Sequence, residues 1–190
     1  MNGSEILVFT NDSIYIESNP KIPHYVMHSA EKSLMHKLAD ITTVNGGNIL
    51  EIGFGMGICS DRIQETPGIL SHTIIEVHPE IYKRALEWSI GKNNVKVLLG
   101  DWIEVIPKIR DLKFDGVLHD THTDRNISKL IEVVRPFCNS KCVVSFFNGE
   151  DQDLSAVVHQ FEREEYESLP YKDIGRFKNM SYELKYTILE

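Results

Sequence analysis

Three glycines and two carboxylates are the residues of this chain with the clearest chemical use. Gly53, Gly55 and Gly57 follow an apolar run that contains Glu51, and a second apolar run ends at Glu76, 19 positions after Gly57. A glycine turn lets a ligand approach the backbone, and an acidic residue about 20 positions later binds the ribose hydroxyls of a nucleoside. The spacing therefore predicts a nucleoside-binding site.

The glycine spacing favours S-adenosyl-L-methionine over a dinucleotide. A dinucleotide site uses Gly-x-Gly-x-x-Gly to lay pyrophosphate on a helix N-terminus, whereas here the third glycine comes one residue earlier. Residues 48–60 contain no Lys or Arg to meet a phosphate charge. S-adenosylmethionine has no phosphate and carries a cationic sulfonium, which suits a loop that begins with Glu51. A nicotinamide-dependent oxidoreductase is a rival, but the chain has no Tyr-x-x-x-Lys pair.

Polar residues also follow the next two predicted strands. Asp101 and Trp102 suit the amino group and the ring of adenine, although Asp101 also suits the N-cap of the next helix, and the two roles are compatible. His119, Asp120 and His122 end the fourth strand, at the edge of the sheet where ligands bind. These histidines lie at a strand-to-loop corner, where their side chains need not converge, so we predict no metal site.

Strand and helix patterns alternate five times along the chain, which predicts an α/β fold of the Rossmann-like, three-layer αβα type. We expect residues 1–25 to form an N-terminal segment that serves as a lid, and residues 26–190 to form a single domain. The predicted strands cover residues 48–52, 72–76, 94–99, 113–120, 141–147, 168–174 and 181–189. The predicted helices cover residues 26–40, 60–65, 79–88, 102–110, 127–134 and 154–164.

Composition narrows the classes of function. No apolar run approaches the ~20 residues of a membrane span, and the N-terminus lacks the features of a secretory signal, so we expect a cytoplasmic protein without a membrane partner. The net charge is −8 and the Lys and Arg residues are scattered, which disfavours a nucleic-acid partner. Cys59, Cys138 and Cys142 form no Cys-x-x-Cys pair, and we expect all three to be reduced.

Seven short stretches between Val26 and Gly149 occur in the order found in one known family. They are Val26-Met27 with Glu31 and Met35-His36, Leu50 to Met56, Ile74 to Glu76, Gly100 to Trp102, Phe114 to Gly116 with Asp120-Thr121, Ile75 to Pro79, and Ser145 to Gly149. The first five resemble guanidinoacetate N-methyltransferase, and the last two resemble the related arginine N-methyltransferases that modify the δ-nitrogen. The resemblance implies a class I S-adenosylmethionine-dependent methyltransferase with a seven-stranded sheet and an antiparallel last strand.

The resemblance also assigns site residues. Those implied for the cofactor are Met27, Met35, Glu51, Gly53, Phe54, Gly55, Met56, Gly57, Ile58, Cys59, Glu76, Val77, His78, Asp101, Trp102 and Asp120. Those implied for the substrate are Met27, Glu31, Asp120, His122, Asn148, Gly149 and Glu150. The chain departs from the family at Ala30, where a tryptophan is usual, at His122, where an aromatic residue is usual, and at Glu150, which would repel a substrate carboxylate.

The implied activity is N-methylation of a guanidino group in a small molecule, either arginine or an arginine-like compound. A guanidinium has a pKa above ~12 and no available lone pair, so it must lose a proton. Glu31 and Asp120 would hold the guanidinium, and Asp120 would accept that proton as the catalytic base. Alternatives are a non-catalytic cofactor-binding subunit and a methyltransferase acting on another amine, an amidine or an imidazole. The oligomeric state stays open, with a homodimer among the options.

Overall fold

The computed structural model describes residues 6–17, 24–109, 112–122, 126–147 and 184–189. Asn148, Gly149 and Glu150, the helix predicted over 154–164 and the strand predicted over 168–174 lie outside these residues. Within the described residues, no helix has the length and apolar character that a membrane span requires.

The main sheet holds six strands among the described residues, in the order β6-β5-β4-β7-β8-β9. The first five run parallel, and β9 is antiparallel to β8. This order confirms the Rossmann-like prediction, including the antiparallel last strand. The strands are β4 (Gly47–Ile52), β5 (Ile69–Glu76), β6 (Val95–Leu99), β7 (Phe114–His119), β8 (Cys138–Phe147) and β9 (Leu184–Leu189).

Helices cover both faces of this sheet, because its central strands are apolar on both sides. On one face, Ile49 and Leu118 pack with α1 and α2, and Ile74 packs with α3. On the other face, Leu50 and Val117 pack with α4 and α5. The helices are α1 (Lys32–Thr42), α2 (Ile58–Glu65), α3 (Pro79–Ser89), α4 (Trp102–Val105) and α5 (Ile127–Val134). The three predicted layers are therefore present.

The N-terminal residues form a separate antiparallel sheet of three strands. Its Ile14 packs with Phe54 of the glycine loop and with Ile81 of α3. The guanidinium of Arg84 on α3 lies 3.8 Å from the centre of the Phe9 ring. The strands are β1 (Leu7–Phe9), β2 (Ser13–Ile16) and β3 (His24–His28). This sheet therefore lies against the glycine loop and α3, and its role as a lid stays a prediction.

The helix predicted over residues 26–40 is wrong at its N-terminal end. Val26 and Met27 belong to β3, and α1 begins at Lys32 after a 3-10 helix over Ser29–Glu31. Met27 pairs with Ile14 of β2 across the N-terminal sheet. The apolar spacing of residues 26–40 did fit a helix, but pairing with β2 makes the first residues a strand. β3 consequently crosses the boundary predicted between residues 25 and 26.

Several other elements differ in their ends from the prediction, including α4 and β8. α4 stops at Val105 and continues as a 3-10 helix over Ile106–Lys108, since Pro107 has no N–H for a helical hydrogen bond. β8 begins at Cys138 rather than at residue 141, and Lys141 within it has a φ of 66°. The predicted turn over residues 139–141 is therefore an irregularity inside the strand.

Replacement of Gly116 on β7 by Ala is expected to lower the free energy of unfolding by about 2 kcal/mol. An added Cβ would lie 2.2 Å from the carbonyl oxygen of Thr42 in α1, so the helix would have to move away from the sheet. Urea denaturation measures the change. Gly68→Ala is the control, because its added Cβ would meet no atom within 4 Å. Gly68 has a φ of 86°, so only the strained backbone conformation should lower the free energy of unfolding, by about 1 kcal/mol. An unchanged midpoint for Gly116→Ala would contradict the close contact.

Candidate active site

An open cavity, with about 1060 Å³ of empty space that includes solvent at its mouth, lies at the carboxyl ends of the parallel strands, where α/β sheets bind their ligands. Its walls come from β3, the 3-10 helix after it, the glycine loop and the residues that follow β5, β6 and β7. The described residues that line it are Val26, Met27, Glu31, Met35, Ile52, Gly53, Gly55, Ile75, Glu76, Val77, Ile81, Gly100, Asp101, Trp102, Asp120, Thr121, His122 and Phe147.

The glycine loop fits between β3 and the end of β7 because Gly53 and Gly55 have no side chains. Gly53 and Gly55 have φ values of 91° and 55°, which L-residues with a side chain rarely adopt. A Cβ on Gly53 would lie 2.2 Å from the carbonyl oxygen of Asp120, and one on Gly55 would lie 2.8 Å from the sulfur of Met27. Met27 also accepts a hydrogen bond from the N–H of Met56 at 3.1 Å. The structure therefore confirms the tight loop that the glycines predict.

Glu76 ends β5 as a buried carboxylate with fixed orientation. Its Oε2 accepts from the N–H of Phe54 at 2.9 Å, and its Oε1 accepts from the N–H of His78 at 2.8 Å. Burial raises the pKa of Glu76, and the N–H groups of His78, Phe54 and Val77 oppose that rise by stabilising the anion. A carboxylate has about four lone-pair sites, so Glu76 can accept from a ligand hydroxyl in addition to these N–H groups.

Asp101 and Trp102 form the wall that follows β6. The Oδ1 of Asp101 accepts from the N–H of Ile103 at 2.9 Å, so Asp101 does cap α4, and it lines the cavity as well. Trp102 is buried, and the centre of its ring lies 5.6 Å from that of the His119 ring in an edge-on contact. An acceptor beside a buried aromatic ring offers the polar and apolar contacts that an adenine base requires.

Glu31 and Asp120, which are expected from the sequence to hold the substrate, line the same cavity. Glu31 is only 5% exposed, and its Oε2 accepts from the backbone N–H of His28 at 3.0 Å. Asp120 follows β7, and its backbone N–H donates to the carbonyl of Ile52 at 3.0 Å, which fixes it beside the glycine loop. His122 lines the cavity too, and its ring lies 4.8 Å from that of His24. The geometry therefore brings Glu31 and Asp120 to the same cavity as the glycine loop.

The charges around the cavity are mainly negative. Among the described residues that line it, Glu31, Glu76, Asp101 and Asp120 are carboxylates and none is Lys or Arg. The buried Cys59 thiol lies near the same negative charges. Its pKa is raised by burial and further by the charges of Glu51, Asp120 and Glu31. Such a field favours cationic ligands, which include a sulfonium and a guanidinium.

Several residues predicted to bind the cofactor do not line the cavity and lie behind the residues that do. Glu51 is fully buried and accepts from the Ser60 hydroxyl at 2.6 Å, with His72 Nε2 2.8 Å away, so its contacts fix the loop to α2 and β5. His78 caps α3, and its Nδ1 accepts from the N–H of Glu80 at 3.3 Å. The predicted residues outside the lining are Glu51, Phe54, Met56, Gly57, Ile58, Cys59 and His78.

Other lining residues were not predicted to belong to the site. Most are apolar residues at or just after the carboxyl ends of strands, and their types carry no chemistry that would identify them. The signals available for most of them were a position at a strand end and membership of the stretches that resemble the family. They are Val26, Ile52, Ile75, Ile81, Gly100, Thr121 and Phe147.

The residues present fit S-adenosylmethionine. The glycine loop leaves room that side chains on Gly53 and Gly55 would close. Glu76 offers further acceptor capacity for a ribose hydroxyl, and Trp102 offers an apolar wall for the base. The excess negative charge of the lining suits the cationic sulfonium. The described lining residues include no Lys or Arg that would bind a phosphate.

Comparison with known proteins agrees with this fit. The family model of guanidinoacetate N-methyltransferase matches residues 17–129. A protein arginine N-methyltransferase 2 of Candida glabrata is 34% identical over 158 residues, which cover 77% of this chain and 37% of the relative. The protein of the same name from Saccharomyces cerevisiae is 34% identical over 136 residues, 68% of this chain and 32% of the relative. The chain thus spans about a third of the length of these relatives.

Solved structures share the fold at low sequence identity. The N-methyltransferase NodS from Bradyrhizobium japonicum WM9 is 14% identical with a TM-score of 0.59, over 84% of this chain and 96% of NodS. A caffeoyl-CoA O-methyltransferase from Staphylococcus aureus, itself assigned only provisionally, is 19% identical with a TM-score of 0.55, over 87% and 85%. Both support the methyltransferase type of Rossmann-like fold.

Proposed function

Because the chain belongs to the guanidinoacetate N-methyltransferase family, whose cofactor is S-adenosylmethionine, we propose that it methylates a guanidino nitrogen of arginine. One observation carries the proposal. Glu31 and Asp120, two carboxylates on different elements, line one cavity together with the glycine loop and Glu76. Two carboxylates match the planar, multiply donating guanidinium, and the loop and Glu76 match the cofactor.

Glu31 binds the methyl acceptor, the arginine guanidinium, through a carboxylate of fixed orientation. Its Oε2 is held by the His28 N–H, so the carboxylate has a defined orientation before any ligand arrives. A guanidinium is cationic and donates several hydrogen bonds, so it suits this buried carboxylate at the cavity wall. When bound, S-adenosylmethionine supplies an electrophilic methyl group. Glu31 therefore acts by holding the acceptor nitrogen at a fixed position beside that group.

Asp120 acts as the base. The guanidinium has no lone pair to give until a proton leaves it. Asp120 is the carboxylate whose backbone N–H donates to Ile52 at the end of β4, directly before the glycine loop. It accepts the proton that the nitrogen loses as the nitrogen takes the methyl group. The products are a neutral carboxylic acid at Asp120 and a methylated guanidinium, which still carries one positive charge. Asp120 then gives its proton to water, which restores the carboxylate for the next turnover.

We place the arginine within a polypeptide rather than in the small molecule expected from the sequence. The relatives named above are called protein arginine N-methyltransferases, although this chain spans only about a third of their length. A free amino acid or guanidinoacetate brings a carboxylate, which would meet the acidic cavity and, from sequence, the carboxylate of Glu150. Arginine in a peptide chain has no such group beside its guanidinium.

The acceptor can be identified by incubating the chain with S-adenosylmethionine and three compounds: a peptide with one arginine, free arginine and guanidinoacetate. Mass spectrometry should show a gain of one methyl group in the peptide, at a higher rate than in either small molecule. A peptide with Lys in place of Arg is the control and should gain none. Faster methylation of a small molecule would overturn the polypeptide acceptor, and a gain only in the Lys peptide would overturn the guanidino acceptor.

Replacement of Glu31 by Gln is expected to raise the KM for the acceptor roughly 10- to 100-fold, with little change in the affinity for S-adenosylhomocysteine. The Gln amide oxygen can still accept from the His28 N–H, so the turn should persist while the negative charge is lost. Steady-state kinetics and calorimetry measure the two constants. Glu132→Gln, on an exposed face of α5 beside Lys129, is the matched control. An unchanged KM in Glu31→Gln would remove Glu31 from acceptor binding.

A further inference from the structure

His28 makes a reciprocal pair of hydrogen bonds with the turn that carries Glu31. Its imidazole Nδ1 accepts from the N–H of Ala30 at 3.0 Å. Its own backbone N–H donates to Glu31 Oε2 at 3.0 Å. The two bonds form a capping box, in which a side chain and a backbone group fix each other. The orientation of the buried carboxylate therefore depends on the imidazole that closes the other half of the box.

The turn is also anchored to the N-terminal sheet. His28 pairs with Ser13 of β2 at the end of β3, and the N–H of Ser29 donates to the carbonyl of Asp12 at 2.8 Å. The Tyr25 ring meets the His28 ring edge-on, with ring centres 5.5 Å apart. These contacts keep the His28 imidazole over the first N–H groups of the 3-10 helix, where an acceptor atom is needed.

We infer that His28 is a positioning residue for the acceptor, because it holds Glu31 in the orientation that receives the guanidinium. The inference rests on the proposed function. Glu31 approaches the cavity from a single 3-10 turn, and this turn has the His28 side chain as its cap. A displacement of about 1 Å at a binding group can lower turnover about 100-fold. The two bonds between His28 and the turn prevent such a displacement of Glu31.

The contribution of His28 to α1 itself is expected to be small. α1 begins after the turn, and its own N-cap residue, Glu31, makes no side-chain capping bond to it. The helix is held by Leu34, Met35 and Leu38, which are buried against the sheet. Loss of the imidazole should thus loosen the turn over Ser29–Glu31 without releasing the helix.

The chemistry of the cap defines an informative pair of variants. Nδ1 is an acceptor here, so the neutral ring carries its proton on Nε2. Asn at an N-cap supplies an amide oxygen to the same N–H groups, whereas Ala supplies no acceptor. His28→Asn should therefore retain the orientation of Glu31 and His28→Ala should lose it, although both variants remove the imidazole.

The test is a calorimetric titration of an arginine-containing peptide into the chain already saturated with S-adenosylhomocysteine. His28→Ala is expected to weaken peptide binding roughly tenfold, and His28→Asn to stay within about threefold of the wild type. The affinity for S-adenosylhomocysteine should be unchanged in both. Asn126→Ala is the matched control, since Asn126 caps α5 away from the cavity lining through the Lys129 N–H at 2.8 Å. It should leave both affinities unchanged.

The remaining outcomes overturn the inference, each in a different way. Wild-type peptide affinity in His28→Ala would show that Glu31 needs no cap. Equal losses in His28→Ala and His28→Asn would show that the imidazole acts by another route. A parallel loss of S-adenosylhomocysteine affinity would show a general structural role. Failure of the wild-type chain to bind the peptide would overturn the proposed function itself, and this appears before any variant is compared.

Discussion

Replacement of Asp120 by Asn is expected to lower kcat by about 10³-fold, with S-adenosylhomocysteine binding retained. Asn has nearly the same shape as Asp, and the bond from the Asp120 N–H to Ile52 is made by the backbone, so the cofactor loop should keep its position. The amide cannot take the proton that the guanidinium must lose, and it removes one of the two negative charges that hold the acceptor. The first effect slows the chemical step, and the second weakens binding of the guanidinium, as in Glu31→Gln.

Single-turnover kinetics with an arginine peptide, followed by mass spectrometry, separates the chemical step from product release. Calorimetry with S-adenosylhomocysteine checks the cofactor site in the same preparation. Asp40→Asn is the matched control, because Asp40 is a partly exposed residue of α1 paired with Arg62. A rate in Asp120→Asn within a few-fold of that of Asp40→Asn would mean that another group takes the proton.

Replacement of Glu76 by Gln is expected to weaken S-adenosylhomocysteine binding at least about 100-fold. The carboxylate uses one oxygen for the N–H of Phe54 and the other for the N–H of His78. A Gln side chain has one acceptor oxygen, so its amino group would face one of these N–H donors and leave it without a partner. The variant would also lose the charge-assisted bonds to the ribose hydroxyls. The variant is therefore expected to lose both the position of the glycine loop and the bonds to the ribose.

Glu80→Gln provides the control for Glu76→Gln. Glu80 is an exposed residue in the first turn of α3, four positions along the chain, and it pairs with Lys83. Its replacement should leave the cofactor affinity unchanged. Wild-type affinity in Glu76→Gln would place the ribose elsewhere in the cavity.

The geometry of the glycine-loop side of the cavity could be predicted because its signals are local in sequence. Gly53 and Gly55 require positive φ values wherever they lie, and an acidic residue at the end of the next strand must meet the same loop in a parallel sheet. Asp101 was predicted with two compatible roles, and it caps α4 while lining the cavity. Each of these features could be predicted from residues close together in the sequence.

The acceptor side depends on contacts between distant residues and was harder to predict. Met27 lies on a strand because Ile14 pairs with it, and nothing in residues 26–40 alone indicates that partner. The bond from His28 to Glu31 requires the turn that this strand creates. Glu51 fits the sequence pattern of a cofactor contact, yet it lies behind the lining, because Ser60 and His72 face it from α2 and β5.

The most direct test of the account is to follow a labelled methyl group. The chain would be incubated with S-adenosylmethionine carrying a deuterated methyl group and a peptide with a single arginine, and fragmentation would locate the label. The account predicts label on a guanidino nitrogen of arginine with the wild-type chain, and little or none with Asp120→Asn. Label on any other atom of the peptide, or equal labelling by the two chains, would contradict the assignment of Glu31 and Asp120 to a guanidino acceptor.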